Sequence, residues 1–330
     1  MYGDEYGTPF LQRFAERDFF IPPHPPSILE VFMRSSAVRA LWSAVFLTLL
    51  SLALALPCLA AEHGKAAAAK RGILLVSFGT SVPEATAAID DLKSQAEAAF
   101  PGVPVRLAYS SKIIRDKIAG EGIKKSSPAQ ALADMAAEGF TEVAVQSLHA
   151  IPGHEFHDIL ATAKAMEGMP KGMSKIAVGL PLLCSPHDID AAAEAILSTL
   201  PKRAKGEAVV LMGHGTEHPA NAAYAALQLA LWKRDQSVFV ATVESSPSLE
   251  DILPALKRQG ARTVHLLPLM SVAGDHARND MAGDEDDSWA SILKSKGFTP
   301  KAQLTGLGSR PAVAKLWIAH LKDAVKGLDH

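Results

Sequence analysis

The feature that most constrains the fold is an alternation of two kinds of segment that begins at Arg71. Short runs rich in Val, Ile and Leu alternate with alanine-rich stretches whose apolar residues have helical spacing. This alternation is typical of a parallel sheet covered by helices. The predicted strands are 72–78, 105–110, 142–148 and 176–183 in the first half, and 208–214, 238–244, 263–270 and 301–307 in the second.

The two halves of this region also resemble each other in sequence. The matching segments are 71–81 with 207–217, 105–111 with 238–244, and 142–155 with 263–276. The repeat predicts an α/β protein with two similar Rossmann-like domains, each a mostly parallel four-stranded sheet flanked by helices, which face each other across a cleft. We place the N-terminal domain at 71–205 and the C-terminal domain at 206–330.

The segment before these domains has the features of a secretory signal. Arg34 and Arg39 precede an uncharged apolar run at 41–56, which Pro57 and small residues follow. This order predicts cleavage near Ala60, a periplasmic location and no membrane attachment afterwards. The alternative is an uncleaved anchor, because the run approaches spanning length. The predicted N-terminal segments are a mis-assigned extension at 1–32, the signal peptide at 33–60 and a flexible arm at 61–70.

The net charge and the cysteine content limit which partners the protein can bind and which residues can bind a metal. The formal net charge is −2, so there is no basic excess for nucleic acid, and we expect no nucleic-acid partner. Cys58 lies within the predicted signal, which leaves Cys184 as the only cysteine of the processed protein. A functional metal site would therefore use nitrogen and oxygen ligands.

Three residues of the second half stand at equivalent strand exits. His214 follows the first strand of that half, Glu244 the second and His276 the third. Two imidazoles and a carboxylate suit Co²⁺, Ni²⁺, Fe²⁺ or Zn²⁺ and leave coordination positions open. The alternative for any single histidine is a hydrogen-bonded structural role. Their counterparts in the first half are Phe78, Ser111 and Glu155, so we predict that only one copy carries the metal.

The first-half exits and the glycines beside them are predicted to line a substrate cleft. A small turn at a strand exit lets a bulky planar ligand approach the backbone closely. Neither exit has the spacing of a phosphate-binding loop. The predicted cleft residues are Phe78, Gly79, Thr80, Ser111, His149 and Gly215.

Four motifs resemble the anaerobic-type sirohydrochlorin cobaltochelatases, class II chelatases related in fold to ferrochelatases. They are LVSFGTS, LMGHGTEHP, VFVATVES and the long string PLMSVAGDHARNDMAGDEDDSWASIL. The resemblance spans 71–325 and implies insertion of Co²⁺ into sirohydrochlorin within the cleft. It also implies that His214 and His276 are catalytic and bind the metal, with Glu244 as the third ligand. The predicted signal peptide distinguishes this sequence from the family, because tetrapyrrole synthesis is expected in the cytoplasm.

Two other functions stay open at this point. A sirohydrochlorin ferrochelatase is one, because histidine and carboxylate ligands accept Fe²⁺ as well as Co²⁺. A periplasmic haem- or metal-binding or transport protein that keeps the chelatase cleft is the other. The three-ligand set favours the enzyme, whereas the signal favours the carrier.

A second group of histidines lies in SLHAIPGHEFHDIL. His154 and His157 are three residues apart, whereas the zinc-protease motif HExxH needs four, so we reject a metalloprotease. The two are candidate haem ligands, and the alternative is an ordinary capping or surface role. The alanine-rich helices also allow close packing between copies, so the sequence is compatible with a homo-oligomer but does not determine the oligomeric state.

Overall fold

The computed structural model describes residues 69–330, which contain two parallel sheets. The first sheet has the strand order β2-β1-β3-β4 and the second β6-β5-β7-β8, and every neighbouring pair is parallel. The identical order confirms the predicted fold class and the internal repeat. The strands are β1 (Arg71–Ser77), β2 (Val105–Tyr109), β3 (Glu142–Ser147), β4 (Lys175–Gly179), β5 (Glu207–Gly213), β6 (Val238–Thr242), β7 (Thr263–Pro268) and β8 (Thr299–Ala302).

Helices connect the strands and cover the sheets. Three of them, which begin at Pro128, Pro186 and Leu249, have capping boxes in which a serine and the third helical residue bond reciprocally. The α-helices of the described residues are α1 (Ala87–Ala99), α2 (Lys112–Gly120), α3 (Pro128–Ala137), α4 (His154–Met166), α5 (Pro186–Ser198), α6 (Ala222–Trp232), α7 (Leu249–Arg258), α8 (Trp289–Ser295) and α9 (Pro311–Gly327). A π-helical turn, Ala277–Met281, follows His276.

One apolar cluster joins the two halves of the molecule. It contains Leu75 of β1, Leu211 of β5 and Trp317 of α9, each almost completely buried. The opposite faces of the sheets have separate clusters, one around β1 and β3 and the other around β5 and β7. Because the two halves share this core, the carboxyl ends of the strands in one half are held at a fixed position relative to those in the other half.

The C-terminal helix differs from the predicted domain division. Helix α9 packs against β3, β4, α1 and α5, all of which belong to the first half. Trp317 donates its indole N–H to the carbonyl of His149 at 3.2 Å, and His320 Nε2 lies 3.2 Å from Asp188 Oδ1. The range 206–330 therefore does not pack as a self-contained domain, because its last helix covers the sheet of 71–205.

The predicted N-terminal segments lie almost entirely outside the described residues. The extension, the signal peptide and positions 61–68 of the arm are not described. Lys70 corrects the arm prediction at its end: its N–H donates to Thr141 Oγ1 at 3.0 Å and its ammonium to the Glu138 carbonyl at 2.7 Å. Between residues 69 and 330, no helix has the length and apolar character needed to span a membrane.

Candidate metal centre

The structure brings together the three predicted ligands. His214 comes directly after β5, Glu244 follows β6 by two residues, and His276 lies in the loop after β7. One ligand atom from each residue lies within 4.8 Å of the other two. The Glu244 N–H donates to the His214 carbonyl at 2.9 Å, so the backbone itself holds these two residues side by side. The parallel strands deliver all three side chains to one edge of the sheet.

The loop that carries His214 depends on two glycines. A Cβ on Gly213 would lie 2.6 Å from the Tyr224 ring, and one on Gly215 would lie 2.8 Å from the Ser245 nitrogen. Gly215 also has a φ of +87°, which other residues rarely adopt. Burial raises the pKa of Tyr224 to about 12, although the backbone amides of His214 and Gly215 beside its phenol oppose the rise. Tyr224 is thus a neutral, buried support beneath the loop.

Hydrogen bonds orient both imidazoles through Nδ1. His214 Nδ1 lies 2.9 Å from the Gly215 carbonyl, which can only accept, so Nδ1 carries the proton. His276 Nδ1 lies 2.5 Å from Asp280 Oδ2, a carboxylate one helical turn further on. The rings are 4.6 Å apart and nearly perpendicular. This pattern leaves each Nε2 as the metal-binding atom, as in histidine ligands whose other nitrogen donates to an oxygen.

The centre is open rather than enclosed. The side chains of His214 and Glu244 are 38% and 54% exposed, and that of His276 is 37% exposed. Three nitrogen and oxygen ligands leave coordination positions free for water or a second ligand, and they do not bind as firmly as a set of four thiolates. Such a site can accept a borderline divalent ion and release it again.

One predicted cleft residue of the first half, Phe78, lies beside the centre. The exposed Phe78 ring lies 6.5 Å from the His214 ring. Gly79 has a φ of +100° and lies against Tyr109. Thr80 is buried and accepts from the Val82 N–H, and its hydroxyl lies near Gly274 in the loop that leads to His276. Phe78 therefore adjoins a candidate metal ligand and Thr80 adjoins the loop before His276, whereas the contact of Gly79 is with Tyr109.

Two other predicted cleft residues have internal partners. The buried Ser111 hydroxyl caps α2 by accepting from the Ile114 N–H at 3.3 Å. His149 Nδ1 lies 2.9 Å from Ser147 Oγ, and its Nε2 lies 3.2 Å from Ser110 Oγ. Burial lowers the pKa of His149 to about 4, so this imidazole is neutral and a weak base. Among the described hydrogen bonds and ring contacts, none joins His149 to the metal ligands.

The candidate haem ligands meet a third histidine that sequence reasoning missed. His154 and His157 are exposed at the start of α4, and their rings lie 4.7 and 4.9 Å from the half-buried His218 ring. His218 Nδ1 accepts from the Ala220 N–H at 3.0 Å. Burial, followed by the charges of His154 and His157, lowers the pKa of His218. Haem binding here stays a prediction.

Known proteins resemble this chain over nearly all of the region that the structure describes. The family model described as cobalt chelatase (CbiK) matches residues 71–326. The chain belongs to the CbiK cobalt chelatase family. A CbiK relative, the sirohydrochlorin cobaltochelatase CbiKC of Nitratidesulfovibrio vulgaris, is 41% identical over 261 residues, which cover 79% of this chain and 92% of the relative. The sirohydrochlorin cobaltochelatase of Salmonella typhimurium is 37% identical over 258 residues, which cover 78% of this chain and 97% of the relative.

Solved structures agree with the fold of this CbiK member. SirB from Bacillus subtilis with Fe³⁺ has a TM-score of 0.54 at 15% identity, over 78% of this chain and 97% of that one. The sirohydrochlorin chelatase SirB from the subspecies spizizenii, in complex with cobalt, has a TM-score of 0.52 at 14% identity, over 79% of this chain and 97% of that one. The chelatase fold and family expected from the motifs are therefore confirmed.

Proposed function

We propose that this chain inserts Co²⁺ into sirohydrochlorin and that His214, Glu244 and His276 bind the ion before transfer. The observation that carries the proposal is the convergence of these three side chains at one strand edge, with their ligand atoms within 4.8 Å of one another. Membership of the CbiK family supports the substrate pair, and both matched relatives are sirohydrochlorin cobaltochelatases.

The chemistry is an exchange of one metal ion for two protons. Co²⁺ leaves the two imidazole nitrogens and the carboxylate for the four pyrrole nitrogens, and two pyrrole N–H bonds break. The freed Nε2 atoms of His214 and His276 can accept these two protons, because their Nδ1 atoms already donate to Gly215 and Asp280. His149 is a poor alternative acceptor because burial lowers its pKa to about 4.

An absorbance assay tests this function. Purified protein mixed with sirohydrochlorin and Co²⁺ should change the tetrapyrrole spectrum faster than the same mixture without protein. Equal rates would contradict the proposed activity. A parallel assay with Fe²⁺ tests the ferrochelatase alternative, because the nitrogen and oxygen ligand set accepts both ions.

The proposed location and haem contact rest on the sequence pattern. The predicted signal supports export to the periplasm, where a chelatase fold could also carry haem or metal. The exposed pair His154 and His157 supports haem binding through one axial imidazole, because a haem iron accepts neutral histidine. Neither proposal changes the assignment of His214, Glu244 and His276 to Co²⁺.

A further inference from the structure

The turn that carries His276 belongs to the second half but is fastened to the first. Asp275, the residue before His276, accepts from Lys117 of α2 at 2.9 Å and from the Ser81 hydroxyl at 3.2 Å. Both donors belong to the first half of the chain. The carboxylate of Asp275 therefore connects the metal-binding turn to the opposite wall of the cleft.

Two further contacts fasten the same turn from the first half. Arg278, two residues after His276, donates to Glu84 at 3.3 Å. Val272, earlier in the loop, is buried in an apolar cluster whose other members include Ile89 and Ile118 of the first half. The two ion pairs thus lie on either side of His276 in the sequence. The buried Val272 adds an apolar contact with the first half earlier in the same loop.

The other two ligands are held differently. Glu244 and His214 are joined by a backbone hydrogen bond within the second half. Among the described residues, the hydrogen bonds of the His276 side chain include Asp280 but neither His214 nor Glu244. Within the second half, Ala277 and Met281 are buried in that half's own core and fix the end of the turn after His276. The contacts from the first half include those of the residue just before His276, so they can adjust its separation from the other two candidate ligands.

We propose that Lys117 is a positioning residue, which acts through Asp275 to set the distance of His276 from His214 and Glu244. This inference rests on the proposed use of these three residues as cobalt ligands. The Lys117 and Asp275 side chains are 52% and 44% exposed, and an exposed ion pair adds little to folding stability. Its effect falls instead on the geometry of one metal ligand.

Lys117 has an alternative role as a direct partner of a substrate carboxylate. The two roles predict different kinetics. A positioning role affects Co²⁺ binding in the absence of any tetrapyrrole, whereas a substrate contact affects the KM for sirohydrochlorin and leaves binding of the metal alone unchanged.

The test is Lys117→Met, with Lys93→Met as the matched control. Lys93 also forms an ion pair in the first half, and its partner, Glu97, lies on the same helix rather than in the second half. Metal-free protein is titrated with Co²⁺ alone, and KM is measured for both substrates. We expect Lys117→Met to weaken Co²⁺ binding roughly fivefold, the scale of one exposed ion pair, and to raise the KM for Co²⁺ similarly. The KM for sirohydrochlorin should stay within twofold of the wild type.

A charge exchange completes the experiment. The double variant Lys117→Asp with Asp275→Lys should recover Co²⁺ affinity relative to either single substitution, because it restores an ion pair between the same positions. The proposal is overturned if Lys117→Met binds Co²⁺ as the control does, if only the KM for sirohydrochlorin rises, or if the exchange recovers nothing. Failure of the wild type to metallate sirohydrochlorin would instead contradict the proposed function, while the titration with Co²⁺ alone still decides the role of Lys117.

Discussion

At the scale of single residues, the candidate centre combines two oriented imidazoles with a more exposed carboxylate. His214 and His276 each donate through Nδ1 to an oxygen, which fixes the nitrogen left for the metal. Glu244 is more exposed than either histidine, and its carboxylate lies 3.5 Å from His214 Nδ1. The three ligands should therefore differ in how much each contributes to binding and to proton transfer.

We expect His214→Ala and His276→Ala each to reduce cobalt insertion by more than about 100-fold, beyond the usual loss for an outer-shell partner. Each substitution removes one metal ligand and one proton acceptor. Insertion is followed by tetrapyrrole absorbance, and circular dichroism checks that the fold is intact. Substantial activity in both variants would contradict the assignment of the site.

Glu244→Gln should weaken Co²⁺ binding less than either histidine substitution. The amide oxygen can still coordinate the ion, although it brings no negative charge. Titration of the metal-free variant with Co²⁺ measures the effect. If insertion falls further in this variant than in both alanine variants, Glu244 is an essential base rather than the weakest ligand.

Asp280→Asn should lower Co²⁺ affinity by roughly 10-fold to 100-fold, the range found for outer-shell partners of ligating histidines. The neutral amide is a weaker acceptor for His276 Nδ1–H and no longer increases the basicity of the ring. Asp91→Asn, an exposed substitution on α1, is the control for loss of one charge. Equal affinities for the two variants would show that Asp280 does not support His276.

The sequence predicted the three candidate ligands, which the structure brings together, but not the residues that support them. His214, Glu244 and His276 could be found because the repeat places them at equivalent strand exits, which converge in any parallel sheet. Asp280 stands four residues after His276, a spacing that could have suggested it, since such residues are neighbours in a helical turn. Tyr224, Lys117 and His218 contact their partners only through the tertiary fold. No spacing in the sequence indicates those contacts.

At the scale of elements, the end of β3 and helix α9 meet at His149. The His149 carbonyl accepts from Trp317, while its ring is held between Ser147 and Ser110. Burial favours the uncharged imidazole. This junction should therefore weaken when His149 becomes protonated.

The stability of the protein should fall as the pH decreases from about 6.5 towards 4. In this window the unfolded histidine binds a proton, whereas His149 in the folded state does not, because burial lowers its pKa to about 4. Across this window the free energy of unfolding falls by at most about 3 kcal/mol. The loss is absent above pH 6.5 and complete below about pH 4.

Urea unfolding at several pH values measures this effect. His149→Asn should show a flatter pH dependence than the wild type, and substitution of the exposed His187 by Asn should leave the dependence unchanged. Parallel curves for the wild type and His149→Asn would contradict the prediction.

The elements were predictable to different degrees. Six of the eight strands lie within two residues of their predicted bounds, because buried parallel strands form short apolar runs between helical segments. β4 ends at Gly179 rather than at 183, and β8 spans Thr299–Ala302 rather than 301–307, because the apolar residues after each strand belong to the loop that follows it. Helices α2 and α9 were not predicted. The sequence of α9 has an apolar stripe, but a stripe shows only that a helix is buried and not which sheet it covers.

At the scale of the whole molecule, the predicted export raises the question of haem. If His154 or His157 supplies an axial ligand, the processed protein mixed with haemin should develop a Soret band that His154→Ala or His157→Ala removes. Cobalt insertion should persist, because neither residue belongs to the candidate centre. His187→Ala is the control for loss of one exposed histidine. A protein whose spectrum ignores added haemin would contradict haem binding.

The path of the C-terminal helix limits how genes of this kind can recombine. Because α9 covers the sheet of the first half, one helical layer of that half comes from the C-terminal end of the chain, after all strands of the second sheet. A crossover near residue 205 between two relatives would join a first sheet from one parent to a covering helix from the other. Exchange of residues 207–302 as an internal cassette would keep Trp317 with the β3 end that it evolved against. Transfer of the candidate metal ligands without this mismatch therefore takes two crossovers rather than one.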